Sequence, residues 1–339
     1  MKPYHVSFPI DIIKEREASM WRYLEALPFE KTNIYSSVTL GEGMTPLVRF
    51  ERGEPRFLLK LDYLMPTGSF KDRGAAVLIA KAKELGVSAV LADSSGNAGT
   101  AIAAYSARAG IPCHIYVPAA ISEKKLSQIK MHGAYLHKIP GTREETAEAA
   151  KVAVDREKIF YASHVYNPFF LEGTKTFAFE IWEQLQYQVP DTVVLPVGNG
   201  TLVLGAYIGF KNLVEAGAAD KMPRIIAVQA EPCSPIAAAF KDNRQVRPVE
   251  NTGTQAEGIA IANPERGDQI IEAVKATGGT IVTAPEEDIA TAQAGLAGKG
   301  FYVEPTTAAT YAAYKKHRDI HINEKEVVVL ALCGTGLKK

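Results

Sequence analysis

The chain has 339 residues, 47% of them hydrophobic, with 38 basic and 38 acidic side chains and a formal net charge of zero. This is ordinary globular composition, long enough for a large core or two domains, and the neutral balance points to neither a nucleic-acid nor a membrane partner. No signal-peptide core follows the opening MKPYHVSFPIDIIKERE, no apolar stretch is long enough to span a bilayer, and three scattered cysteines make neither a disulfide framework nor a zinc site; a cytoplasmic protein without a metal is expected.

In chain order, the first informative stretch is YLMPTGSFKDRGAAVL, from Tyr63 to Leu78. Lys71 stands after Pro66, Gly68 and Ser69 and ahead of an alanine-rich run. A helix start favours anions, because its outward N–H groups leave it partly positive. A lysine there is either a solvated loop residue or an amine meant to react. SAVLAD (Ser88 to Asp93) then predicts a strand, followed by the loop Ser94 to Gly99 and the helical AGTAIAAYSARAG. That loop suits a carboxylate or other small anion, although read alone it is an ordinary N-cap. PCHIYVP follows as a second strand.

DTVVLPV (Asp191 to Val197) predicts a strand that runs into Gly198, Asn199, Gly200, Thr201 and Leu202 and then a helix. Two glycines let the backbone approach a ligand, and the helix start aims N–H groups at it. A dinucleotide fingerprint fails, because Val203 stands where the third glycine belongs, and no Gly-Lys-Ser/Thr follows for a nucleotide P-loop. A small phosphorylated cofactor fits, as does a plain tight turn. RIIAVQA (Arg224 to Ala230) and EVVVLALC (Glu326 to Cys333) are apolar runs. Such runs between helices predict an α/β protein with two mostly parallel sheets, each with helices on both faces.

The motifs PTGSFKDRG, SSGNAG, PVGNGTL and LCGTGLK together resemble the pyridoxal-phosphate enzymes of the tryptophan synthase β-subunit fold (fold type II). GEGMTPL (Gly41 to Leu47), GSFKDRG and AAYSARAGI (Ala103 to Ile111) most resemble threonine synthase. The resemblance implies two domains with pyridoxal 5'-phosphate in the cleft between them. We set their expected bounds at residues 50–165 for a smaller domain with the lysine and asparagine loops, and at 1–49 and 166–339 for a larger one.

The resemblance also implies roles. Lys71 forms the Schiff base with the cofactor and later moves protons as the free amine, a task helped by the positive helix end. Asn97 hydrogen-bonds the cofactor's phenolic oxygen, and the neighbourhood of Ser94, Ser95, Gly96, Asn97 and Ala98 holds the substrate carboxylate. Gly198, Asn199, Gly200, Thr201 and Leu202 donate backbone N–H groups to the phosphate. Cys333 faces the pyridine nitrogen as a neutral group, favouring elimination and replacement over transamination.

One position departs from the family pattern. In NPFFLEGTKT, Phe170 stands where threonine synthases carry the arginine that grips the phosphate of O-phosphohomoserine. The expected activity is therefore a threonine synthase-like lyase reaction, elimination or replacement at the β or γ carbon of an amino acid, with Phe170 against the substrate. A threonine or serine ammonia-lyase shares every cofactor motif, and a silent cofactor-binding protein is the third reading. A small amino-acid substrate and a homodimer complete the expectation.

Overall fold

The computed structural model describes residues 4–30, 33–51, 53–54 and 56–338. Residues 1–3, 31–32, 52, 55 and 339, inside the expected domain bounds, lie outside the described residues. Ten strands occur among the described residues: β1 (Leu47–Arg49), β2 (Phe57–Lys60), β3 (Val90–Ala92), β4 (Cys113–Pro118), β5 (Tyr135–Ile139), β6 (Phe160–Tyr161), β7 (Thr192–Pro196), β8 (Arg224–Ala230), β9 (Thr280–Ala284) and β10 (Val328–Ala331). Two compact units divide the chain, one of Met1–Gly43 and Met65–Thr174, the other of Met44–Leu64 and Lys175–Lys338.

The first unit carries a four-stranded parallel sheet in the order β5-β4-β3-β6. Two alanine-rich helices accompany it, Lys71–Glu84 before β3 and Asn97–Ala109 between β3 and β4, and they pack on each other. Their small side chains let the backbones approach: Ala75, Ala76, Ala80 and Ala101 are all 0% exposed. The unit's polar interior is organised by Glu42. Its buried carboxylate accepts hydrogen bonds from Trp21 Nε1 (2.5 Å), the Leu40 N–H (2.7 Å) and the Tyr105 hydroxyl (3.1 Å). Burial, with Asp72 and Glu42 nearby, raises the Tyr105 pKa, so that phenol stays protonated.

The second unit carries a six-stranded sheet in the order β1-β2-β10-β7-β8-β9. Only β1 runs antiparallel; the other four pairings are parallel. β2, β7 and β10 are buried along their whole length, as apolar strands covered on both faces must be. Beneath them Lys60 Nζ meets Glu180 Oε2 at 2.7 Å, the Thr45 carbonyl at 2.7 Å and Gln184 Oε1 at 2.9 Å, with both charged side chains fully buried.

The two mostly parallel sheets match the α/β expectation, but the bounds differ from those set on the sequence. Met1–Gly43 belongs with the lysine-bearing unit, not the larger one. Met20, Trp21, Leu27 and Val38 join its core, and the Tyr4 hydroxyl donates to Glu172 at 2.5 Å. The helix Pro168–Thr174 also belongs there, because its Gly173 and Phe170 press on the Lys71–Glu84 helix. Conversely Met44–Leu64, with β1 and β2, extends the other sheet.

Candidate active site

Lys71 is the first residue of its helix and is half-buried. The turn before it is built by Gly68, whose φ of 78° needs a glycine and whose N–H reaches the Met65 carbonyl at 2.7 Å. Asp72 closes the same turn: its carboxylate accepts from the Thr67 N–H at 2.6 Å and from the Thr67 hydroxyl. Asp72 is thus a fully buried helix-start acid, held away from base chemistry.

The Lys71 ammonium stands 4.8 Å from the Phe70 ring centroid and 5.6 Å from that of Phe170. Phe170 is fully buried. Its ring occupies the space a side chain at position 74 would take, since a Cβ on Gly74 would meet a ring carbon at 2.3 Å. The ring also meets His164 edge-on, with centroids 6.0 Å apart. Phe170 therefore forms an apolar wall next to the amine, set by the glycine one helical turn further on.

The asparagine loop leaves the carboxyl end of β3. Gly96, in extended conformation, is the N-cap, and Asn97 opens the helix. Ser94, Ser95 and Asn97 are half-buried, Gly96 is exposed and Ala98 is buried. The loop folds back hard: a Cβ on Gly99 would lie 1.7 Å from the Ser94 carbonyl oxygen. Gly99 thus shapes the loop although the sequence reading gave it no role. Two residues before Lys71, the Ser69 hydroxyl is buried with no hydrogen-bond partner among the described residues.

In the second unit β7 and β10 are neighbours, so the loops after them leave the sheet side by side. After β7, Gly200 takes φ 78° as N-cap of the helix Thr201–Glu215, whose start turns N–H groups outward. The glycines here relieve the fold itself: a Cβ on Gly200 would meet Ile270 at 2.3 Å, and one on Gly198 would meet Ile261 at 2.9 Å. After β10, Cys333 is 1% exposed, with Sγ 3.1 Å from the Thr307 hydroxyl. Burial, then the charge of Glu304, pushes its pKa up, so the thiol is neutral. Lys175, the motif cation left after the loss of the arginine, is buried and donates to Asn212 Oδ1 at 3.2 Å.

These features fit pyridoxal phosphate unit by unit. The first unit offers an amine flanked by aromatic rings and an amide at a helix start. The second offers a helix start with outward N–H groups and, after the adjacent strand β10, a buried neutral thiol. Among the described residues no group of three or more histidine, cysteine or acidic side chains could hold a metal. His164, Glu42, Thr307 and Glu304 escaped the sequence reading, because each earns its place only through a spatial neighbour.

Comparison with known proteins places this arrangement. The family described as pyridoxal-phosphate dependent enzyme matches residues 38–334, and the chain belongs to it. Threonine synthase of Methanosarcina acetivorans is 37% identical over 342 residues, covering 98% of this chain and 83% of that protein. The threonine synthase of Methanocaldococcus jannaschii is 38% identical over 335 residues, covering 96% and 82%. Among solved structures, a threonine deaminase from T.th. is 26% identical with a TM-score of 0.75 over 89% of this chain and 96% of that one. A serine racemase from Dictyostelium discoideum has the same TM-score, 0.75, at 22% identity over 90% and 96%, a likeness of fold alone. The chain is a threonine synthase-like, pyridoxal-phosphate-dependent lyase of the tryptophan synthase β-like fold, working by elimination or replacement on an amino acid.

Proposed function

We propose that the enzyme acts on an α-amino acid whose β- or γ-substituent is uncharged, and that O-phosphohomoserine is a poor substrate. The observation that carries this is Phe170, buried beside Lys71 where the family motif has an arginine. A phosphate dianion needs fixed cations, and a bidentate arginine supplies them well. Each hydrogen bond to such a charge contributes roughly 1.5–3 kcal/mol, or about one to two powers of ten in affinity. A phenyl ring supplies none of it.

The residue roles follow the same proposal. Lys71 Nζ is the attachment point for the cofactor and, once released, takes the proton from the substrate Cα and returns it. Bound pyridoxal phosphate supplies the electron sink at that carbon. Asn97 orients the ring, and the loop of Ser94, Ser95, Gly96, Asn97 and Ala98 binds the substrate carboxylate. The backbone of Gly198, Asn199, Gly200, Thr201 and Leu202 holds the phosphate. Cys333 gives the ring nitrogen a neutral neighbour. The intact lysine and asparagine loops argue against a silent carrier; an ammonia-lyase remains the second reading, favoured by the same uncharged wall.

Steady-state kinetics with O-phosphohomoserine, serine, threonine and an O-acyl amino acid test the proposal. Efficient threonine formation from O-phosphohomoserine overturns it. A cytoplasmic homodimer working without nucleic acid or membrane belongs to the same proposal. The dimer rests on the family resemblance alone, and the reading without nucleic acid or membrane on the neutral net charge. Sedimentation equilibrium of the holoenzyme at monomer mass would overturn the dimer.

A further inference from the structure

His164 stands out among the buried titratable groups that the roles above do not use. It lies in the loop after β6, and β6 is the parallel neighbour of β3, whose own loop carries Asn97. The two loops therefore leave the same end of the sheet side by side, the end where α/β folds bind ligands. The His164 ring touches the wall formed by Phe170 (6.0 Å between centroids), and that wall lies 5.6 Å from Lys71 Nζ. The side chain is 8% exposed and makes no hydrogen bond to any described residue.

Its loop is rigidly held. Ser163 Oγ accepts from the Val165 and Tyr166 N–H groups at 3.2 and 3.3 Å, and Asn167 Nδ2 donates back to the Tyr161 carbonyl at 3.1 Å. Burial, then the positive charges of Lys71 and Arg143, holds the imidazole pKa well below its usual value. The ring is therefore neutral, with one nitrogen donating and the other accepting. Neither ring nitrogen is among the buried side-chain atoms that lack a partner, so the ring reaches water, and a ligand hydroxyl can take that water's place.

We infer that His164 is a specificity-determining residue whose imidazole hydrogen-bonds a hydroxyl on the substrate side chain, so that hydroxy-amino acids are the substrates. The inference rests on the proposed function and narrows it. A hydroxyl both donates and accepts, and so matches a neutral imidazole at either nitrogen. A phosphate dianion only accepts, and can use one of the two. The apolar Phe170 beside the ring leaves the imidazole as the polar contact on that wall.

The test begins with the wild-type holoenzyme, titrated with serine and with alanine and followed by cofactor absorbance. Serine should bind at least about tenfold more tightly; equal affinities overturn the inference. Turnover is then compared between serine or threonine and β-chloroalanine, whose leaving group needs no such bond. His164→Phe should lose far more of kcat/KM on the hydroxy-amino acids than on β-chloroalanine. His164→Asn, which retains a donor and an acceptor, should recover part of the loss. Equal losses on both kinds of substrate, or none, overturn the inference. A wild-type enzyme that eliminates chloride from β-chloroalanine yet ignores serine and threonine overturns the inference while leaving the proposed function standing. One that turns over O-phosphohomoserine efficiently overturns the proposed function itself.

Discussion

The two units reach the carboxyl ends of their sheets with opposite materials. In the first, the candidate atoms belong to side chains: Lys71 Nζ, the Asn97 amide and the His164 ring. Holding them takes buried polar scaffolding, in which Glu42 joins Trp21, Leu40 and Tyr105, and Asp72 fastens Thr67. In the second, the candidate atoms are backbone N–H groups at the start of the helix Thr201–Glu215, and the scaffolding is apolar contact: Gly198 against Ile261, Gly200 against Ile270. A unit that supplies chemistry must fix charges, whereas a unit that supplies an anion site needs only correctly turned backbone. Substitutions in the first should therefore act on turnover, and those in the second on cofactor retention.

The largest expected effect is at Lys71. Lys71→Ala should lower turnover by at least about 10²–10⁴-fold, the range for one positioned acid–base group. Borohydride should no longer trap cofactor on the protein. The fold should survive, because the side chain is half-buried and alanine suits a helix. Cofactor trapped on another lysine of the variant would break the comparison, since the reactive amine would then lie elsewhere.

The next effect is on stability, and it concerns a buried ion pair of the second unit. Lys60→Met removes the ammonium that meets Glu180 at 2.7 Å with both side chains fully buried. Removing one partner of a buried pair costs about 3–5 kcal/mol. Denaturant unfolding should show that loss. Replacing both residues, Lys60→Met with Glu180→Leu, should recover much of it. If the single variant unfolds like the wild type, charge burial is not what distinguishes this core.

How much of this was legible in the chain depends on what each feature needs. Strands such as Arg224–Ala230 and helices such as Asn97–Ala109 were readable because continuous apolar runs and alanine periodicity are local signals. Lys71, Asn97 and the loop after β7 were readable through motif order. The allegiance of residues 1–43 was not: Trp21 and Val38 reveal it only through a core they share with Phe170. β6 has two residues, too short for any periodicity, so nothing local in the chain marks the loop bearing His164. The partners of Cys333, Thr307 and Glu304, sit on or just before the helix Pro305–His321 and come close only in the folded chain. Phe170 shows in the chain as a missing arginine, but its dependence on Gly74 exists only in the folded protein.

The smallest effect sharpens the claim about backbone. Glycine substitution is a poor probe of the loop after β7, because Gly200 has φ 78° and its absent Cβ makes room for Ile270. A valine there would strain the fold and weaken the cofactor site without testing the anion. Asn199 is the better position: it is half-buried, lies in the loop itself, and precedes the helix start by two residues. Asn199→Asp keeps shape and size while adding a negative charge beside the anion site. Two like charges at about 4 Å repel by about 4 kcal/mol at an effective dielectric of 20 and by about 1 kcal/mol in bulk water. For a half-exposed loop the lower end applies, so cofactor affinity should fall about fivefold. The loss should shrink at high salt, where exposed charges are screened. The Tm of the cofactor-free protein should stay nearly unchanged, because an aspartate close to a helix start is favoured by the helix dipole. Unchanged cofactor affinity in a titration would mean that the loop is only a turn, and that the second unit must hold the phosphate elsewhere.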